Sequence, residues 1–364
     1  MQIRPSGGSG QALRILTAIL AFSLLLFASY AGAGSPANCD KMGQEIRTRY
    51  DAHLEGFSIS KQRHYAQRLY RITGNKDYLH GNLRYARRLL GRLRVDIAGL
   101  KLPGYALMQS RKVVEDYASR TEKQRARKEM LGTWGEIAYA KNLAFRLVQA
   151  KYHGLLHEAF LPDYQRALSY LASVDFRAFL SDPEVLRVYA PQVANQLYYL
   201  HELGVSDLRG PVLAAFRDLY PPARDGALSR AEYRNKIYGM THFVIAASRY
   251  YQQPVQRQEF DWILAYFEEN LEVILRRTKE DIYTEVALSF LLAGEEKHAA
   301  VERIRQALRE VYDPEAAMIP SETGETGDLA AGEHRNVLAV MLFCWPEQLH
   351  VGPDLSDLVS RRVQ

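Results

Sequence analysis

Three short stretches set ionisable side chains directly against apolar runs. In YGMTHFVIAA, Tyr238, Thr241 and His242 precede Phe243–Ala247. In DIYTEVALSFLL, Asp281, Thr284 and Glu285 lead into Val286, Leu288 and Leu292. In GEHRNVLAVMLFCW, Glu333, His334 and Arg335 stand before an apolar stretch that ends at Trp345. An acid, an imidazole and a guanidinium are the groups that donate a proton, accept one and hold an anion. A lone buried carboxylate costs several kcal/mol, more than a helix cap returns. Glu285 and His242 must therefore pair with other polar groups or face a wet cavity. A hydrolase or lyase could use them so, with His242 and Glu285 as the acid/base pair and Arg335 holding a substrate carboxylate. Glu333 or His334 would then be a second catalytic or orienting group.

Structural explanations stand beside this chemistry. Thr278 and Asp281 have the spacing of a capping box, and Glu333 has the place of an acid at a helix start. His242 could be a satisfied core histidine, and Glu285 with Arg335 a structural ion pair. A metal held by His242, Glu285 and His334 would need ligands from separate helices, and no H-E-x-x-H spacing supports it. His157 and His201 each precede a glutamate but lack the second histidine. No metal and no cofactor are expected. The chain carries no phosphate-binding glycine loop, dinucleotide fingerprint, G-x-S-x-G elbow or C-x-x-C pair, so ATP, NAD and redox chemistry find no support.

The elements that must position these residues read as helices. Helical spacing recurs in HYAQRLYRI, LRYARRLLGRL, WGEIAYAKNLAFRLV, VANQLYYLHEL and FDWILAYFEENLEVILRR, with Gly or Pro in the turns between. No sustained period-2 alternation competes with it. The three polar stretches each open a segment that is apolar around its whole circumference, the mark of a helix buried on every side. FDWILAYFEENLEVILRR and VERIRQALREVY instead have one apolar stripe and one charged face, as outer helices do. His242, Glu285 and Glu333 lie 43 and 48 residues apart, about one two-helix hairpin each. The expectation is an all-α fold of helical hairpins arranged as an α/α-toroid, with a curved α-solenoid as the alternative. In a toroid the polar helix starts would share the mouth of a central cavity. The polar loop 313–334, with Gly324, Gly327 and Gly332, is long enough to act as a lid there, and Tyr198, Tyr199, Tyr238, Tyr250 and Tyr251 could stack on sugars.

The N-terminus reads as a secretory signal. Arg4 and Arg14 precede an apolar run that ends in Ala31-Gly32-Ala33, so residues 1–33 are expected to be cleaved on export to the periplasm or beyond. Retention as a membrane anchor is the alternative. Cys39 and Cys344 are the two cysteines, and an exported protein could join them. Residues 61–128 hold 18 Lys/Arg against 5 Asp/Glu, while residues 129–364 hold 24 against 33. A basic helical region, 34–130, is thus expected to continue into a helical-hairpin domain, 131–364. Its basic face could meet an acidic glycan or another envelope component, or be no more than a solvated helix face. Export argues against nucleic acid, and no membrane contact is expected after cleavage. Oligomeric state is left open.

RNKIYGMTHFVIAASRYY, TEVALSFLLAG, GEHRNVLAVMLFCWPEQLHVGP and VANQLYYLHELGVSDLRG together resemble a family of exported bacterial proteins classed as a domain of unknown function, over residues 180 to 355. That resemblance implies attention to Asn195, Tyr238, Thr241, His242, Glu285, Glu333, His334, Arg335 and Asn336 and brings no established activity; Asn195, Tyr238, Thr241, Arg335 and Asn336 are the expected substrate-binding groups. The architecture is more distantly similar to the α/α-toroids of polysaccharide lyases, unsaturated-glucuronyl hydrolases and lanthipeptide cyclases, a likeness of fold that does not settle function.

Overall fold

The structure is a computed structural model that describes residues 39–361. The signal segment 1–33 lies outside the described residues. Asn38–Gln364 form one compact unit, so the basic region and the hairpin region share a single body. The first half runs through α1 (Lys41–His53), α2 (Ile59–Thr73), α3 (Leu79–Gly99), α4 (Tyr105–Glu115), α5 (Glu122–Gly132) and α6 (Ile137–Tyr152). There follow α7 (Tyr164–Ser173), α8 (Phe176–Ser181), α9 (Pro183–Glu202), α10 (Arg209–Leu219) and α11 (Arg230–Ala247). The chain ends with α12 (Arg257–Glu269), α13 (Leu271–Arg277), α14 (Glu280–Leu292), α15 (Ala299–Val311), α16 (Leu329–Phe343) and α17 (Ser356–Ser360). The fold is all-α, and no strand forms among the described residues. No described helix is long and apolar enough to cross a membrane.

Six helices follow one another in a closed circuit. α9 packs on α11, α11 on α14, α14 on α16, and α16 on α2. Arg63 and Gln67 of α2 then bond Gln149 of α6, and α6 returns to α9. Outside this circuit α1 backs α16, α3 spans α2 and α6, α10 backs α9, and α15 backs α14 and α16. A ring of inner helices with an outer layer is compatible with the expected toroid. Three of the inner helices, α11, α14 and α16, hold the segments that read as apolar all round: every residue from Ile282 to Leu292 and from Asn336 to Phe343 is buried. α3 is amphipathic, with Arg84, Arg87, Arg88, Arg92 and Arg94 outward and Leu89, Leu90 and Leu93 inward.

Two local features set the spacing of the inner helices. Pro191 has no N–H for the carbonyl of Arg187, and α9 kinks at Tyr189. Asn235 of α11 repairs the break by donating from Nδ2 to the carbonyls of Arg187 and Leu186, at 2.9 and 2.8 Å. Gly239 lets the same pair approach closely, since a Cβ there would stand 2.8 Å from the Cβ of Ala190. α9 and α11 are thereby close enough for Asn195 to reach His242.

The C-terminal ends of α2, α6 and α11 meet the segment around Gly352. Arg71 donates to the carbonyls of Gly352 and Tyr250, His350 N–H donates to the Arg71 carbonyl, and His153 Nδ1 bonds the Pro353 carbonyl. Cys39 and Cys344 form a disulfide that ties the start of α1 to the end of α16 across 305 residues.

Candidate functional site

Apart from Asp281, which lies in the first turn of α14, the polar residues of the three stretches do not start their helices. α11 begins at Arg230 under a Ser229–Glu232 capping box, and α16 begins at Leu329 with Asp328 as its cap. Tyr238, Thr241 and His242 are two turns or more inside α11, and Glu333 and His334 are one turn inside α16. The expected Thr278–Asp281 capping box does not form. Lys279 occupies the N-cap, Thr278 Oγ1 donates to the Ile274 carbonyl, and Asp281 accepts from the N–H of Ile282. Except for Asp281, these polar groups therefore owe their places to the ring interior rather than to helix ends.

Asn195, Tyr238, Thr241, His242, Glu285, Glu333 and His334 come together there. Glu285, 1% exposed, accepts a 2.7 Å hydrogen bond from Thr241 Oγ1. His242 Nε2 lies 3.6 Å from Glu285 Oε2, and His334 Nε2 lies 3.8 Å from Oε1. Asp281 Oδ2 is 4.0 Å from the same His334 nitrogen. Asn195 Oδ1 can only accept, so at 2.7 Å it fixes the proton of His242 on Nδ1 and leaves a lone pair on Nε2. That Nε2 is buried and has no hydrogen-bond partner among the described residues. Tyr238 places its hydroxyl 3.1 Å from His334 Nε2. His334, 30% exposed, and the part-exposed Asp281 connect the cluster to solvent. Surface grooves of about 320 to 560 Å³ elsewhere on the molecule contain none of these residues. Glu285 lies at the buried end of this cluster.

Burial sets the charges. It raises the Glu285 carboxyl to about 8, Asp281 adds repulsion, and the Thr241 bond and Arg68 only partly offset them. Burial, with Arg68 adding to it, lowers His242 to about 3. His334 is pushed well below the usual imidazole range by burial, then by His64 and Arg68. Glu333 and Asp281 are raised, again chiefly by burial. At neutral pH the centre therefore holds a protonated Glu285 between two uncharged imidazoles. A carboxylic acid that still carries its proton near pH 7 is a competent general acid, and an imidazole with a free lone pair is a competent acceptor.

Arg335 and Asn336 stand elsewhere. Each residue along a helix turns by 100°, so the two positions after His334 face away from it. Arg335 Nε donates to the Ile319 carbonyl, and buried Asn336 bonds both the N–H and the carbonyl of Ile319. They fasten the loop before α16 instead of facing Glu285. Glu322 in that loop pairs with Arg234 and Lys279, a further tie. The ion pair of Glu285 with Arg335 does not form.

The cluster also contains residues that sequence reasoning missed. His64 Nδ1 and Glu333 Oε1 are hydrogen-bonded at 2.7 Å, and the His64 ring lies 5.1 Å from that of His334. Arg68, four residues on, is 7% exposed and donates from Nη1 to the carbonyl of His64. No described carboxylate comes within 4.0 Å of it. The charge of Arg68, not that of Arg335, acts on Glu285, Glu333 and both site histidines. The signal was present as His64–Arg68 and Arg63–Gln67–Arg71, two polar stripes with a four-residue step on one helix.

Beyond His242 the chain makes a left-handed turn. Arg249, Tyr250 and Tyr251 have φ of 55, 59 and 68°, a conformation that costs about 1–2 kcal/mol per residue. Arg71 holds it through the Tyr250 carbonyl, and Ser248 Oγ accepts the N–H of Tyr251. The turn brings the Tyr250 hydroxyl 2.7 Å from that of Tyr199 and buries Tyr251 with its hydroxyl unpartnered among the described residues. Among the described residues no group of three or more His, Cys, Asp or Glu is placed to hold a metal ion.

No curated protein and no solved structure matches the chain. The model of one family, a domain of unknown function (DUF3541), matches residues 39–363. The match extends past the stretch 180–355 and takes in α2, which supplies His64 and Arg68 to the cluster. The chain belongs to that family.

Proposed function

We propose that this protein is an exported, glycan-active hydrolase or lyase in which Glu285 donates the proton to the departing glycosidic oxygen. The observation that carries this reading is a buried carboxyl, Glu285, with the unpartnered His242 Nε2 3.6 Å and His334 Nε2 3.8 Å from its oxygens. His242 Nε2, oriented by Asn195, is the acceptor. In a hydrolase it takes a proton from the attacking water, and in a lyase it takes one from the ring carbon beside a carboxylate. In the second case that electron pair forms the double bond as the glycosidic C–O bond breaks. His64, hydrogen-bonded to Glu333, and His334, hydrogen-bonded to Tyr238, orient the neighbouring groups.

The test is product formation. Incubation with acidic and neutral polysaccharides, followed by assay for new reducing ends and for ultraviolet-absorbing unsaturated ends, separates hydrolase from lyase. Wild-type protein is expected to cleave an acidic polysaccharide, with kcat/KM falling as pH rises through about 8. Glu285→Gln and His242→Gln should fold and lose about two orders of magnitude or more of that rate. Full activity in both variants rules the assignment out. A second reading, a non-catalytic envelope protein that binds glycan or peptide, draws on the uncompensated Arg68. It expects binding from the same panel without any product.

A further inference from the structure

We infer that Arg68 and Tyr251 form an oxyanion subsite near Glu285 and His242, which takes the acidic substituent of a sugar. The inference rests on the acid/base reading for its neighbour, but it stands on different atoms. Arg68 Nε and the Tyr251 hydroxyl are buried, and neither has a hydrogen-bond partner among the described residues. Buried polar atoms are almost always partnered, so two unpartnered donors in one region mark a place where a ligand supplies the partners. They do share one region. The Arg68 guanidinium carbon is 5.8 Å from the centre of the Tyr251 ring, and its charge acts on His242, Tyr251 and Glu285 alike.

The types of group define the ligand. A guanidinium edge and a phenol O–H are donors, and together they suit an oxygen anion. A buried guanidinium without a counter-ion is unfavourable in the empty protein, as is the left-handed turn that delivers Tyr251. Such costs concentrate at binding sites, where the ligand offsets them. His334 and Asp281 are part-exposed members of the neighbouring cluster, and Tyr250, stacked on Tyr199 with rings 5.9 Å apart, lies on the same turn as Tyr251. A sugar bearing a carboxylate or a sulfate satisfies the donors with its anion and presents its glycosidic oxygen toward Glu285.

Binding by the full mature chain in the Glu285→Gln background tests this without turnover. Thermal-shift and calorimetric titrations use sodium glucuronate, glucose and inorganic sulfate. Glucuronate is expected to bind at least tenfold more tightly than glucose, and the sulfate titration tells whether the subsite prefers a planar or a tetrahedral anion. Arg68→Gln should melt at a higher temperature than its parent when empty, since an uncompensated charge is gone, and should lose the preference for glucuronate. Tyr251→Phe, which removes only a hydroxyl, should weaken glucuronate several-fold and leave glucose unchanged. Equal affinity for glucuronate and glucose, or a preference that survives Arg68→Gln, overturns the subsite. If Arg68-dependent binding persists while no glycan is ever cleaved, the acid/base reading falls and the subsite stands. Cleavage of neutral glycans alone has the opposite consequence.

Discussion

Replacing Glu285 by glutamine should make the protein more stable, and by an amount that depends on pH. In the unfolded chain a glutamate titrates near 4.5, whereas in the folded ring it holds its proton to about 8. A folded-state value raised above the unfolded one means full stability below pH 4.5, with a loss that accumulates as pH rises and levels off above about 8. Each unit is worth about 1.4 kcal/mol, so the penalty reaches about 3 kcal/mol at pH 7. Glutamine has the same shape, keeps an oxygen for the Thr241 hydroxyl and never ionises. The variant should match wild type at pH 4 and exceed it by about 3 kcal/mol at pH 7, or about 5 °C in Tm for a chain of this size. Urea unfolding at pH 4, 6 and 8, followed by far-ultraviolet circular dichroism, reads the difference. A constant offset across that range, or a variant weaker than wild type throughout, would refute the claim that a buried, proton-bearing carboxyl sits there.

Other expectations follow from the same geometry. His242 titrates near 3 when folded and near 6.5 when unfolded, so the stability that it contributes is present above pH 6.5 and is lost as pH falls towards 3. His242→Gln should flatten the acid limb of the stability profile by about 1.4 kcal/mol per unit, and an unchanged limb would show that another group sets it. Reducing the Cys39–Cys344 disulfide frees a span of 305 residues and should cost up to about 5 kcal/mol in urea unfolding. No change on adding reductant would contradict this. Asn336→Ala leaves the buried N–H of Ile319 without its acceptor, which should cost about 2 kcal/mol and speed proteolysis of the loop before α16. Glycan affinity should not change, and if it does, Asn336 belongs in the site after all.

Much of this was legible in the residues themselves. Segments that are apolar around the whole circumference became the inner helices, because nothing else buries every face. The polar groups set against them converged, because a buried acid and a buried imidazole have few other stable solutions. Helix starts were misjudged for a physical reason: Ser229 and Asp328 cap their helices well upstream of the apolar runs, so hydrophobicity marks where burial begins and not where the helix does. Arg335 was assigned to the substrate through adjacency to His334, yet one residue of helix is a rotation of 100°. Arg68 was missed because α2 lies in the basic stretch. A polar helix face has the same pattern whether it meets water or a ring interior, and only the packing of α2 between α6 and α16 distinguishes the two.

The state of the Glu285 proton decides whether this cluster can act as a general acid. Carbon-13 labelling of glutamate side chains, with Glu285→Gln to assign the resonance, allows its carboxyl to be titrated by NMR in the folded protein. A midpoint near 8 is expected. A midpoint near 4.5 would leave a carboxylate in the cluster at neutral pH and remove the general acid.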